Sequence, residues 1–181
     1  MRKLLMLTTI VGFIVTGPTV AQNRSEALSP ATKMMAAWAT DASVLAGKWT
    51  YRSFNNTTQL VADDAAKALA LIFGEGVFTF EIPSSTVLLG VFDMGGGYVL
   101  DLKGVVRPAT KDSPLIVEIV GTGRANTPTE GWQYDYHASP AYHWPNGINQ
   151  ALSLVGSVIR AKPHGRAQAG YVASFIAVKQ P

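Results

Sequence analysis

Tyr98-Val99-Leu100-Asp101-Leu102-Lys103-Gly104-Val105-Val106 is the stretch that decides the fold. Tyr98, Leu100 and Leu102 fall on one face, and Asp101 and Lys103 fall on the other. Alternation of that kind marks a half-buried β-strand, because successive side chains leave a strand on opposite sides. The same rhythm recurs downstream. Leu115, Val117 and Ile119 oppose Glu118, and Trp132, Tyr134 and Tyr136 oppose Gln133, Asp135 and His137.

Working outward, β-branched and aromatic enrichment marks eight strands over 48–54, 77–82, 86–93, 98–106, 115–122, 132–137, 152–160 and 170–179. Gly95-Gly96-Gly97, Lys111-Asp112-Ser113-Pro114 and Pro163-His164-Gly165 read as turns. Asp63-Asp64 followed by an alanine-rich run and Gly74 predicts a helical insertion over 63–73, between the first two strands. The last strand is apolar on both faces, which predicts that a helix or a neighbouring subunit covers its outer side. Short connections without alternating helices predict an antiparallel meander, and such a sheet protects its edges by closing. The expectation is a mainly β protein, an eight-stranded up-and-down barrel.

Before the barrel, Met1-Arg2-Lys3, an apolar run from Leu4 to Val15, Gly17-Pro18 and the small residues Thr19 and Ala21 read as a cleavable signal peptide over 1–21. A membrane anchor needs roughly 20 apolar residues, more than this run supplies. A polar lead and a short helix at 30–39 occupy 22–43, and the barrel domain takes 44–181. These features predict a secreted or periplasmic protein with no membrane anchor after signal cleavage. The chain has no cysteine, which removes disulfides, thiolate nucleophiles and lipid attachment at a cysteine. Losing Arg2 and Lys3 leaves 13 basic residues against 12 acidic ones, so no electrostatic footprint for nucleic acid remains. Asn23-Arg24-Ser25, Asn55-Asn56-Thr57 and Asn56-Thr57-Thr58 match glycosylation sequons.

The segment Val44-Leu45-Ala46-Gly47-Lys48-Trp49-Thr50-Tyr51 resembles the opening of the lipocalin and avidin group of calycin-type barrels. Gly47 and Trp49 match that group's Gly-x-Trp signature at the head of the first strand. The resemblance implies a tryptophan closing the barrel base beneath a basic side chain, and a small-ligand-binding role. The chain departs from the pattern in its helical insertion, in ending on its last strand, and in having no arginine there, so Arg160 or Lys179 would stand in.

Residues 132–144 concentrate aromatic side chains: Trp132, Tyr134, Tyr136, His137, Tyr142, His143 and Trp144. These are the candidate ligand-binding residues, because rings supply apolar area with a polar edge. Filling the barrel is the competing role for Trp132, Tyr134 and Tyr136, and a purely structural loop is the competing role for the others. Asp135, His137, His143 and His164 offer metal-ligand chemistry without a recognised spacing, so no metal or other cofactor is assigned. No catalytic residue is identified. The leading expectation is an exported barrel that binds a small hydrophobic or aromatic molecule at its mouth. The alternatives are an isomerase or cyclase using His137, His143 or Asp135, and a non-catalytic module that docks a protein partner or forms a homo-oligomer.

Overall fold

The computed structural model describes residues 41–57, 64–110, 112–141, 144 and 147–181. The leader, the helix read over 30–39, Tyr142 and His143 lie outside the described residues. Eight strands follow in order: β1 (Gly47–Asn55), β2 (Ile72–Ser84), β3 (Val87–Asp93), β4 (Val99–Arg107), β5 (Ile116–Gly123), β6 (Gln133–Pro140), β7 (Ser153–Arg160) and β8 (Val172–Lys179). Each pairs antiparallel with the next, and β8 returns to β1 in a register from Trp49↔Lys179 to Asn55↔Ala173, so the barrel is closed. The expected up-and-down meander is the observed fold.

The alternation read from sequence sets the two faces of the barrel wall. Trp49, Tyr51, Phe78, Phe80, Phe92, Leu100, Leu102, Val117, Ile119, Tyr136 and Phe175 are buried inside. Asp101, Lys103 and His137 are exposed outside. In the middle of the barrel, Tyr51 packs against Phe78, Phe92 and Phe175 at ring separations of 4.7, 4.8 and 5.2 Å. Ring contacts of this geometry add to the area that each aromatic buries. Room for them comes from a missing side chain on β2. A Cβ at Gly76 would lie 2.6 Å from the Phe92 ring and 2.4 Å from the Asp93 carbonyl oxygen.

Between β1 and β2 the expected helical insertion is present but shorter and tighter than the sequence reading. The segment is a 3-10 turn, Ala65–Leu71, and β2 begins at Ile72, so Gly74 lies in the strand instead of ending a helix. Ala65, Ala66, Lys67 and Ala70 are exposed, so these four residues add no buried apolar surface to sustain a longer helix. Helix propensity alone does not sustain so short a segment. Pairing wins instead, with Ser53 opposite Gly74 and Arg52 opposite Glu75.

One end of the barrel is sealed. A 3-10 turn, Ala42–Leu45, lies across it, with Ala42 and Leu45 buried. Trp49 is fully buried and its indole Nε1 donates to the Leu45 carbonyl at 2.8 Å. Lys179, at the end of β8, places Nζ 5.9 Å from the Trp49 ring centroid and donates to the Val44 carbonyl at 2.6 Å. The basic partner of Trp49 is therefore Lys179, while Arg160 lies at the opposite end. Replacing this plug with a small residue leaves a cavity and an orphaned carbonyl. Trp49→Ala is expected to lower unfolding free energy by about 3–5 kcal/mol, measured by urea denaturation with far-ultraviolet dichroism.

Candidate functional site

The other end of the barrel is open. The described residues 56–57, 64–71, 94–98, 124–132 and 161–171 of its connections lie at this end. Between them a cavity of about 380 Å³ descends to a floor of Tyr51, Phe92 and Tyr136. Phe73, Met94, Leu100 and Val158 form its walls, and Tyr98, Trp132, Tyr134, Arg160 and His164 stand at its mouth.

Strand register brings two of the mouth residues together. Tyr134 on β6 pairs with Arg160 on β7, and both occupy inward positions, in phase with Tyr136 and Val158. Loops bring the others. Trp132 ends a connection held by hydrogen bonds from Trp132 N to the Thr129 carbonyl and from Gly123 N to the Trp132 carbonyl, both 2.9 Å. Thr129 is fully buried and its hydroxyl donates to the Val99 carbonyl, which fastens this connection to β4. His164 sits in a tight turn whose backbone pairs with Ala167 in both directions, at 3.1 and 3.0 Å. Its ring lies flat on the Trp132 indole, with centroids 3.9 Å apart and planes 16° from parallel.

A polar chain crosses the mouth. Arg160 Nε donates to the Tyr134 hydroxyl at 3.3 Å, and that hydroxyl lies 2.7 Å from His164 Nε2. Burial and the nearby Arg160 charge both hold the His164 pKa below its ordinary 6.5, with burial the larger cause. The imidazole is thus neutral at pH 7. Because Arg160 can only donate, the phenol accepts from it, and the tautomer of the imidazole sets which of the hydroxyl and Nε2 donates to the other. Deeper in, burial raises the pKa of both Tyr51 and Tyr136 above the usual phenol value, so the floor carries neutral hydroxyls. Ser53, also fully buried, donates to the Gly74 carbonyl at 3.1 Å.

The residues expected from sequence divide between the ends and faces of the barrel. Trp132, Tyr134 and Tyr136 converge on the cavity, Tyr136 as floor and Trp132 as a half-buried rim. His137 lies on the outer surface, paired across the ladder with Glu118 and Ser157. Trp144 is 63% exposed and belongs to the connection between β6 and β7, at the sealed end of the barrel. Asp135 and His137 also face away from His164, so the metal set drawn from them is not assembled. Among the described residues no three His, Asp or Glu side chains lie close enough to hold a metal ion. An enzyme reading built on Asp135 and His137 likewise places both outside the cavity.

Sequence reasoning passed over Phe73, Met94 and Arg160 as mouth residues, and named His164 only as a metal ligand. Arg160 was detectable, since it continues the inward parity of Leu154 and Val158. His164 was not, because only the folded turn carries it back over Trp132.

Comparison with family models, with curated proteins and with solved structures returned no match to this chain.

The pKa shift gives a direct check. The folded state resists protonation of His164, whereas the unfolded chain takes it up near 6.5. Stability contributed by this residue is therefore complete above that pH and declines as the pH falls below it. Proton NMR should place the His164 titration midpoint below 6.5. Arg160→Gln should move the midpoint upward, because it removes the repelling charge.

Proposed function

We propose that this chain is an exported binding protein that seats a small hydrophobic or aromatic molecule at the mouth of its barrel. The observation that carries this reading is the contrast between the two ends. Trp49, Lys179 and the turn before β1 seal the base, rings fill the middle, and the mouth retains a cavity of about 380 Å³ with aromatic walls. That volume lies in the range of small-molecule sites, which are mostly apolar with a few polar groups to set orientation. Here the polar groups are Arg160, Tyr134, His164 and Ser53. Kinship with lipocalins and avidins is part of the same proposal, supported by Gly47, by Trp49 and by the cation of Lys179 over the indole. Export rests on residues 1–21.

Native mass spectrometry of the protein purified from its host should show a mass excess that is lost on denaturation. Gly74 faces the cavity, and a Cβ there meets nothing closer than the Ser53 hydroxyl at 3.4 Å. Gly74→Leu should therefore block the mouth, abolish that mass excess and leave the dichroism spectrum unchanged. A retained adduct in this variant would count against the site.

A second reading rests on the outer wall. Val155 pairs with Ile176 and Ile159 with Val172, and these four are 38, 37, 39 and 41% exposed. These two apolar pairs flank the outward Ser157–Ser174 pair where the sequence predicts a covered last strand, and an exposed surface of this kind suits a protein partner or self-association. Light scattering of the full chain should report a dimer or larger species, and Val155→Glu with Ile176→Glu should return it to monomer.

A further inference from the structure

Arg160 is a cation in apolar surroundings. Its guanidinium carbon lies 5.4, 6.0 and 5.5 Å from the ring centroids of Phe73, Tyr134 and Tyr171. Its hydrogen-bond partners are neutral: the Tyr134 hydroxyl from Nε, and the Gln168 carbonyl at 3.1 Å from Nη1. Ion pairs among the described residues join Arg52 to Glu75, Lys67 to Asp64, Arg107 to Glu118 and Arg124 to Asp101, and leave Arg160 out. Glu75 also borders the cavity, but it is held by Arg52 at 2.6 Å. Other acids around the mouth are engaged as well: Asp93 accepts from Gly95 N and Glu130 accepts from Asn126 N. Arg160 thus lines the cavity, and among the described residues its hydrogen bonds to the protein run from Nε and Nη1 and leave Nη2 out.

The connection that follows has the same sign. Residues 160–171 contain Arg160, Lys162 and Arg166 and no acidic residue, and Lys162 and Arg166 are exposed. A guanidinium part-stripped of water is costly unless an oxyanion completes it, and its fork suits carboxylate or sulfonate oxygens. We infer that the molecule bound at the mouth is an anion, a flat or apolar body bearing one carboxylate-like group, and that Arg160 holds that group. The inference rests on the binding reading above and narrows it to apolar acids. Phe73, Tyr98 and Trp132 would take the body, while Tyr134 and Gln168 keep the guanidinium aimed.

Two fluorescent probes with the same ring skeleton test it: anilinonaphthalene sulfonate, which is anionic, and phenylnaphthylamine, which is neutral. Each is titrated into the full chain, with the Trp132 indole N–H resonance reporting the site. The sulfonate should bind at least about tenfold tighter, the ratio expected of a hydrogen bond to a charged group. Arg160→Gln should bring the two affinities to within about twofold by removing that bond. Arg160→Lys should keep part of the preference. If Arg160→Gln does not fold, salt serves instead in the unaltered protein, since added salt should weaken the sulfonate and spare the neutral probe. Equal affinity of both probes, with both moving the Trp132 resonance, would overturn the anion inference and leave the binding reading standing. No response of that resonance to either probe would overturn both.

Discussion

The return of β8 to β1 is the constraint on which everything else in the molecule depends. Without the ladder from Trp49↔Lys179 to Asn55↔Ala173, both strands would present unpaired edges. Closure also sets the bore. An eight-stranded barrel has an interior just wide enough for side chains or one small ligand. Tyr51, Phe78, Phe92, Tyr136 and Phe175 occupy that bore at mid-height, with Phe78 and Tyr136 rings 5.4 Å apart and edge-on. Space for a ligand begins only where those rings end. The floor of the cavity is thus the upper surface of the core, and its depth is set by packing instead of by a dedicated binding element.

The same constraint explains how a chain without cysteine holds together. Interior residues come from every strand, so the core is one continuous cluster to which the connections add few residues, such as Leu45 and Leu115. Ion pairs such as Arg124–Asp101 and Arg107–Glu118 lie on the exposed outer wall, where such pairs contribute little. Charge is kept out of the floor as well, because Tyr51 and Tyr136 stay protonated there. Arg160 consequently acts on the mouth through surroundings with little competing charge.

Strands were legible in the sequence because period-two alternation survives wherever one face of a wall is buried. Leu100 and Leu102 against Asp101 and Lys103 is the plain case. Gly47, Trp49 and a basic partner were legible too, and only the identity of that partner, Lys179, needed the structure. The helical insertion was legible, but its end was not, because alanine-rich propensity is a local quantity, while the pairing of Ser53 with Gly74 is not. The aromatic run 132–144 misled for a geometric reason. The intervening strand, Gln133–Pro140, crosses the whole barrel, about 26 Å at 3.3 Å per residue. Trp132 and Trp144 therefore stand at opposite ends, though they are near neighbours in the chain. The reverse holds for His164, which is remote from Trp132 in sequence and stacked on it in space.

Division of labour at the mouth follows from which residues ride on strands. Tyr134, Tyr136, Val158 and Arg160 are placed by register, so the width of the cavity and the position of its cation vary little. Trp132 and His164 come from two separate connections, and function commonly resides in such loops on a rigid frame. Their rings stack on each other, so these two connections are not independent. A ligand that displaces the Trp132 indole must also disturb His164, and through the Tyr134 hydroxyl it alters the hydrogen bonding of Arg160. Occupancy of the apolar cavity and the orientation of its cation are thereby coupled through one short chain of contacts. On the binding reading proposed above, discrimination among ligands would then rest on changes confined to a single rim.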